Sequence, residues 1–118
     1  MFGIRLLPCF LLLFITLLGC VPDHSRQEDI RPVTVIEVEA ENWRFNKEIY
    51  KVFAGKPITI NFKSVEGHHG FGIKGFPEYN IEGEGSMKVT LEPGEYQIFC
   101  TVPCGEGHDD MVATLIAV

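Results

Sequence analysis

Four side chains that bind soft metal ions lie close together near the end of the chain. Within residues 100–111 the candidate ligands are Cys100, Cys104, His108 and Met111, and His69 offers a second imidazole upstream. Thiolates, imidazoles and a thioether suit copper in a redox role better than calcium, magnesium or manganese. We therefore predict a copper site in residues 100–111, which we call the ligand loop.

The number of cysteines bears on how many metal ions the ligand loop holds. A mononuclear blue-copper centre needs one thiolate, two imidazoles and a weak axial thioether, so a second cysteine is surplus there. If both sulfurs bridge two copper ions, each ion needs only one histidine, and Met111 and one backbone carbonyl can fill the weak axial positions. The ligand count favours two copper ions. Gly105 and Gly107 fit a close approach of the backbone to such a site.

The spacing Cys-x3-Cys-x3-His-x2-Met of the ligand loop resembles the binuclear CuA site of cytochrome c oxidase subunit II and nitrous oxide reductase. Residues 69–71, His-Gly-Phe, are similar to the segment that carries the first histidine ligand in that family. Residues 93–96 (Pro-Gly-Glu-Tyr) and 104–108 (Cys-Gly-Glu-Gly-His) extend the resemblance to subunits II of the B-family haem–copper oxidases. These matches run in order within residues 33–118 and outweigh a single short motif.

The resemblance implies a role for each metal-binding side chain. Cys100 and Cys104 become thiolates that bridge two copper ions. His69 and His108 become the terminal imidazoles, one for each ion. Met111 becomes a weak axial ligand.

Three further features follow from the same comparison. The family's other axial ligand is a main-chain carbonyl between the cysteines, which falls on Val102 here. Only one of His68 and His69 is expected to bind, because consecutive residues of an extended chain point to opposite faces, and the His-Gly-Phe resemblance implies that it is His69. The segment between His69 and Cys100 is a few residues shorter than in the family, which predicts a trimmed loop around residues 74–85.

Two other interpretations of the cysteine pair stay open from the sequence. In an oxidising compartment Cys100 and Cys104 can form a disulfide, although a disulfide leaves the spacing of His108 and Met111 unexplained. Two cysteines and two histidines also satisfy a tetrahedral zinc site, but zinc gains little from a thioether. Met111 therefore favours copper over both alternatives.

Residues 1–20 have the pattern of a targeting segment that is not part of the fold. Arg5 precedes an apolar run, and Gly19 stands before Cys20, as in a bacterial lipoprotein signal that ends in lipidation of the cysteine. The alternative is an uncleaved membrane anchor. The charge-free stretch 6–22 lies at the lower limit of the roughly 17–25 residues that span a bilayer.

The remaining sequence divides into a tether and one domain. Residues 21–32 are polar, charged and poor in large apolar side chains, so they cannot fold by themselves and form a flexible tether. Residues 33–118 have the length of one small domain, and 46% hydrophobic residues in the chain suffice for a single core. The formal net charge is −6 and the basic residues are scattered, which argues against nucleic acid and suits a basic protein partner.

The domain is predicted to be all-β. Apolar and polar residues alternate along several segments, and the last segment is strongly apolar; these predicted strands are residues 33–39, 58–63, 87–91, 96–100 and 112–118. Short strands separated by turns indicate a Greek-key sandwich of two sheets. The resemblance narrows this fold to the cupredoxin type, with the ligand loop between the last two strands.

Residues 42–45, Asn-Trp-Arg-Phe, resemble the aromatic segment of subunit II that receives electrons from cytochrome c. Trp43 is therefore a candidate for electron acceptance, and core packing is the alternative role for so large a side chain. His108 is the candidate for an exposed edge of the centre. Asp109 and Asp110 follow it and predict an acidic rim.

The resemblance implies an electron-transfer domain whose cofactor is copper, with two ions per chain. It would accept electrons from a cytochrome c or a small copper protein and pass them to the large subunit of a haem–copper oxidase. The chain itself would catalyse no bond chemistry. We expect it on the periplasmic face of a bacterial cytoplasmic membrane, tethered by lipid or by an N-terminal helix.

The alternative function is a stand-alone extracytoplasmic CuA carrier, or a copper-handling lipoprotein, that is not stably part of an oxidase. This alternative arises because most subunits II carry a membrane hairpin that the sequence lacks. Nitrous oxide reductase is disfavoured, because its catalytic copper cluster lies on a large propeller domain for which the chain has no room.

Overall fold

A computed structural model of the protein describes residues 31–118, together with Gly3 and Gly19. The targeting segment predicted for residues 1–20, with its candidate lipidation site Cys20, and nearly all of the tether predicted for residues 21–32 lie outside the described residues. Among the residues that are described, no helix is long and apolar enough to cross a membrane.

Nine β-strands and one short 3₁₀ helix are formed by residues 31–118. The strands are β1 (Val35–Glu41), β2 (Arg44–Phe45), β3 (Ile49–Val52), β4 (Ile58–Ser64), β5 (Gly70–Ile73), β6 (Phe76–Glu82), β7 (Glu84–Val89), β8 (Gly94–Phe99) and β9 (Val112–Ala117). The 3₁₀ helix spans His108–Asp110.

The strands form two sheets that share one hydrophobic core. The smaller sheet has the order β2-β1-β4-β7, and the larger has the order β3-β9-β8-β5-β6. The prediction of an all-β fold with two sheets is confirmed. The connection from β1 to β2 contains a cis peptide bond between Asn42 and Trp43.

The alternation of apolar residues determines which face of each strand is buried. In the parallel pair β1 and β4, Ile36 lies opposite Ile60, so both strands turn the same set of positions inward. In the antiparallel pair β8 and β9, Ile98 lies opposite Ala113. The buried side chains that meet between the sheets include Ile36, Val38, Ile58, Ile60, Phe62, Phe71, Ile98, Ala113 and Leu115.

The segment predicted to be a trimmed loop, residues 74–85, is mostly strand. β6 lies at the edge of the larger sheet and pairs antiparallel with β5. The expectation of a loop was wrong because an edge strand with mostly exposed side chains, here including Pro77, needs no regular apolar alternation. The turn between β5 and β6 consists of Lys74 and Gly75, where the φ of +89° at Gly75 favours glycine, and a bend at Gly83 separates β6 from β7.

Paired strands hold both ends of the ligand loop. β8 and β9 are antiparallel, with Phe99 opposite Val112, and the backbone N–H of Cys100 donates to the carbonyl of Met111 at 3.2 Å. On the other side of β8 lies β5, with Gly72 opposite Phe99. The residues that precede β5 therefore lie beside the start of the ligand loop.

Candidate metal centre

The two cysteine sulfurs of the ligand loop face each other without a covalent bond. Cys100 Sγ and Cys104 Sγ are 3.4 Å apart, and both residues are free thiols. A disulfide has an S–S distance of about 2.0 Å, so the sulfurs are too far apart to be bonded. A metal–thiolate bond is about 2.3 Å long, and two sulfurs that share one ion can lie 3.4 Å apart. The pair therefore fits a shared metal better than a structural disulfide.

His69 places a ring nitrogen beside the first sulfur. It lies directly before β5, its side chain is fully buried, and its Nδ1 is 3.9 Å from Cys100 Sγ. Its backbone N–H donates to Ser64 Oγ at 3.0 Å, and its carbonyl accepts a hydrogen bond from the N–H of Gly83 at 2.9 Å. Ligand atoms of His69, Cys100 and Cys104 lie within 4.8 Å of one another, a group that could hold a metal ion.

His108 places a ring nitrogen beside the second sulfur. It is the first residue of the 3₁₀ helix, and its Nδ1 is 3.3 Å from Cys104 Sγ. The turn forms locally, because the N–H of His108 donates to the carbonyl of Gly105 at 3.2 Å. His108 is partly exposed, whereas His69 is buried. Each sulfur therefore has its own imidazole.

The two candidate axial groups belong to residues that lie close to Cys100 in the fold. The carbonyl oxygen of Val102 is 3.3 Å from Cys100 Sγ. Met111 is buried in the same core cluster as Cys100, at the base of the loop where β9 begins. Thiolates, imidazoles, a thioether and a carbonyl are the donor set of a copper electron-transfer site.

Burial and the neighbouring thiol affect the protonation of the second cysteine. Desolvation by burial, the hydrogen bond with Cys100 and the charge of Cys100 raise the pKa of Cys104 to about 11. The metal-free chain therefore carries Cys104 as a neutral thiol at neutral pH. Metal binding must release this proton, so the affinity of the site for metal rises with pH.

Trp43 lies on the outer surface of the ligand loop. Its Nε1 donates to the carbonyl of Cys104 at 3.0 Å, and 37% of the residue is exposed. A Cβ atom at Gly107 would lie 2.6 Å from Trp43 Cβ, and a Cβ atom at Gly105 would lie 3.1 Å from the indole. These two glycines leave space for Trp43. The side chain packs against the ligand loop at the protein surface, and not in the hydrophobic core.

The remaining predicted residues lie near the centre but do not enter it. Asp109 and Asp110 are exposed in the 3₁₀ helix, directly after His108. His68 is exposed, and its Nε2 lies 3.1 Å from Glu82 Oε1 instead of the sulfurs.

Two residues at the centre had no signal in the ligand motif. Asn42 places its Oδ1 3.1 Å from His69 Nε2, and Ser64 fixes the backbone of the same histidine. Both residues precede the motif and approach it only through the fold. The sequence signal nearest to Asn42 is the aromatic segment of residues 42–45, in which Asn42 precedes Trp43.

Comparisons with known sequences agree with this geometry. No family model matches the chain. Two sequences of cytochrome c oxidase subunit 2 from Thermus thermophilus are each 37% identical over 67 residues, covering 52% of this chain and 49% and 39% of the relatives. The chain thus spans about half or less of the length of these relatives.

Solved structures share the fold. A chain of a haem–copper terminal oxidase dimer matches with a TM-score of 0.63 and 28% identity, covering 72% of this chain and 65% of that chain. The periplasmic domain of cytochrome oxidase subunit II from Bradyrhizobium japonicum matches with a TM-score of 0.63 and 14% identity, over 75% and 86%. Auracyanin from Roseiflexus castenholzii matches with a TM-score of 0.59 and 20% identity, over 75% and 99%.

The fold, the ligand atoms and the sequence similarity lead to one assignment. The matches to auracyanin and the oxidase domain support the two-sheet fold, and the histidine–cysteine group fits a copper site. The described part of the chain is a cupredoxin-like domain, similar in sequence and fold to cytochrome c oxidase subunit II.

Proposed function

We propose that the domain is an electron-transfer module with a binuclear copper centre of the CuA type, and that it feeds a haem–copper oxidase. The observation that carries this proposal is the pair of free sulfurs 3.4 Å apart, with Nδ1 of one histidine beside each sulfur. A mononuclear site has no use for the second cysteine. The likeness to cytochrome c oxidase subunit 2 supports the same function.

In this proposal the ligands divide into three kinds. Cys100 and Cys104 would hold both copper ions through their thiolates. His69 and His108 would each bind one of the two ions. The thioether of Met111 and the backbone carbonyl of Val102 would be the two weaker ligands. Copper, when bound, supplies a one-electron redox couple.

The protein would hold the copper ligands in a fixed geometry. The ligand loop is closed at its base by the pairing of β8 with β9, and Cys100 and Met111 are buried in the core. A site whose ligands are held by packing and hydrogen bonds changes little in geometry when its charge changes. Small geometric change favours rapid electron transfer.

Electrons would arrive at the exposed side of the centre. His108 is partly exposed there, Trp43 covers the adjacent backbone, and Asp109 and Asp110 add negative charge. A cytochrome c or small copper protein with a basic surface would be steered to such a rim. The acceptor would be the large subunit of a haem–copper oxidase, which would reduce oxygen.

The domain organisation predicted from the sequence completes the proposal. Residues 1–20 serve as a lipoprotein signal or a short anchor, residues 21–32 as a tether, and residues 33–118 as the copper domain. Lipidation of Cys20 would hold the domain at the periplasmic face of the membrane. The match to the periplasmic domain of an oxidase subunit II supports an extracytoplasmic location.

Copurification tests whether the chain is an oxidase subunit. The full chain with a C-terminal affinity tag should isolate a haem-containing complex from its own membranes in a fixed ratio of haem to chain. A copper-loaded chain that isolates without haem would contradict the subunit assignment and favour the stand-alone carrier.

The acidic rim is tested with a paired charge change. The double substitution Asp109→Asn and Asp110→Asn should slow the oxidation of reduced cytochrome c by the copper-loaded chain at low ionic strength, and the difference should shrink at high salt. The control, Glu92→Gln with Glu95→Gln, removes the same charge near the far end of β8. Equal rates for the two double variants would rule out the rim.

A further inference from the structure

We propose that Asn42 is a positioning residue of the metal centre, which fixes the tautomer of His69 so that Nδ1 presents its lone pair toward Cys100. The inference rests on the proposed function, because it takes His69 to be a ligand. It adds a residue that lies outside the ligand motif, at the turn after β1. It also explains how a fully buried imidazole keeps one ring nitrogen unprotonated and able to bind a metal ion.

The hydrogen bond determines which ring nitrogen carries the proton. Asn42 Oδ1 lies 3.1 Å from His69 Nε2, and an amide oxygen can only accept. Nε2 must therefore donate, and a neutral imidazole has only one N–H. Nδ1 is then unprotonated, and it is the nitrogen that lies 3.9 Å from Cys100 Sγ.

The ring of His69 is shielded from bulk water, whereas Asn42 is exposed on its outer side. His69 is 0% exposed. Ser64 and Gly83 bind only its backbone, through the N–H and the carbonyl. Within residues 31–118, the polar contacts recorded for the ring are Asn42 at one nitrogen and Cys100 at the other.

Asn42 is itself held in place. Its backbone N–H donates to Glu66 Oε1 at 3.0 Å. A Cβ atom at Gly67 would lie 2.5 Å from Asn42 Oδ1 and 3.0 Å from His69 Nε2, so a side chain there would separate the pair. Gly67 also has a φ of +74°, which favours glycine. The turn that carries Asn42 and the loop that carries His69 are thus built to fit each other.

The same turn contacts one residue of each histidine–cysteine pair. Asn42 contacts His69, and the next residue, Trp43, donates to the carbonyl of Cys104 at 3.0 Å. Hydrogen bonds to the outer nitrogen of a metal-binding histidine orient the ring and set its basicity. An amide does this without adding a charge to the buried site.

The first test is the tautomer of His69 in the metal-free full chain. Long-range ¹H–¹⁵N NMR at a pH where imidazole is neutral should show the proton on Nε2 in the wild type. Asn42→Leu, which has a similar shape and no acceptor, should produce a mixture of tautomers, and Asn42→Asp should preserve the Nε2–H form. A proton on Nδ1 in the wild type would overturn the inference without any variant.

The second test is copper affinity, measured by competition with a chromophoric chelator. Asn42→Leu should weaken copper binding about 10-fold to 100-fold, the usual cost of losing a partner of a metal-binding histidine. Asn42→Asp should restore affinity, with a lower reduction potential, because a carboxylate favours the oxidised centre. Asn61→Leu is the control, since Asn61 is bonded to Glu37 and Ser86 within the smaller sheet and has no recorded contact with His69.

The outcomes separate this inference from the proposed function. A wild-type chain that shows the Nε2–H tautomer but binds no copper would support the role of Asn42 in orienting His69 and contradict the copper function. An Asn42→Leu chain with unchanged tautomer and unchanged copper affinity would overturn the inference and leave the copper function standing.

Discussion

The two halves of the candidate metal centre differ in how they are held. His69 and Cys100 are 0% and 3% exposed, and they lie between the sheets. Cys104 and His108 are partly exposed and lie in the part of the ligand loop that leaves the sheet. We call these pairs the buried half and the outer half. The hydrophobic core fixes the buried half, whereas short-range turns and the side chain of Trp43 fix the outer half.

The hydrogen bonds show the same difference. In the buried half, Ser64 and Asn42 bind the backbone and the ring of His69. In the outer half, the indole of Trp43 donates to the carbonyl of Cys104, and a 3₁₀ turn positions His108. The stability of the domain should therefore depend mainly on the buried half, and the access of reagents and electron donors to the centre mainly on the outer half.

The largest expected effect is the loss of copper when either sulfur is removed. Cys100→Ser and Cys104→Ser should each reduce bound copper from two ions per chain to one at most, because both sulfurs bridge. Thr101→Ser in the same loop is the control and should keep both ions. Copper is counted by elemental analysis of the loaded full chain. Two ions retained in either cysteine variant would contradict bridging.

The next effect concerns thiol reactivity in the metal-free chain. Cys104 should be alkylated by iodoacetamide before the buried Cys100, because only the outer half admits the reagent. The thiolate is the reactive form, and the pKa of Cys104 is raised to about 11 from 9.0. At pH 8 its rate should be lower than in the urea-unfolded chain by up to about 100-fold.

Peptide mapping after timed alkylation between pH 7 and pH 11 measures both rates. The rate of Cys104 should still be rising above pH 9, since the folded-state pKa lies above the ordinary one. A plateau at pH 9, or faster labelling of Cys100, would contradict the assignment of the two halves.

The histidines provide a test of stability. His69→Ala should lower the free energy of unfolding of the metal-free chain by about 2–4 kcal/mol, because it leaves a cavity in place of a fully buried side chain. His108→Ala should cost less than about 1 kcal/mol, as expected for a partly exposed residue. Urea denaturation followed by Trp43 fluorescence measures both values. Equal losses of unfolding free energy in the two variants would show that both halves contribute equally to stability.

The smallest effect tests the contact between Trp43 and the ligand loop. Gly107→Ala should cost about 1–2 kcal/mol, because the new Cβ collides with Trp43. Gly107 has a φ of −95°, so backbone strain does not contribute. In a Trp43→Gly background the same substitution should be nearly neutral, as judged by circular dichroism. A cost that persists there would assign the role of Gly107 to something other than Trp43.

Local patterns predicted much of this fold. The alternation in β1 and β4 follows from burial of one face between the sheets, and the apolar run of β9 follows from its central place in the larger sheet. β6 was missed because an edge strand needs no such alternation. β2, with two residues, is too short to show any period.

The ligand motif contains cysteines and histidines that the structure brings together, but it does not contain the residues that support them. The link between Asn42 and His69 spans 27 positions, and the link between Trp43 and Cys104 spans 61. Contacts over such separations leave no periodic trace in a single sequence. Gly107 illustrates the difficulty: its loop position suggested a close approach to metal, whereas its neighbour is Trp43.

The proposed function depends above all on two copper ions in the ligand loop, both held by Cys100 and Cys104. Its most direct test is electron paramagnetic resonance of the copper-loaded full chain, with copper counted per chain in the same sample. A binuclear centre should give two ions per chain and a hyperfine pattern from one unpaired electron shared equally by two copper nuclei. One ion per chain with the pattern of a single copper nucleus would contradict it.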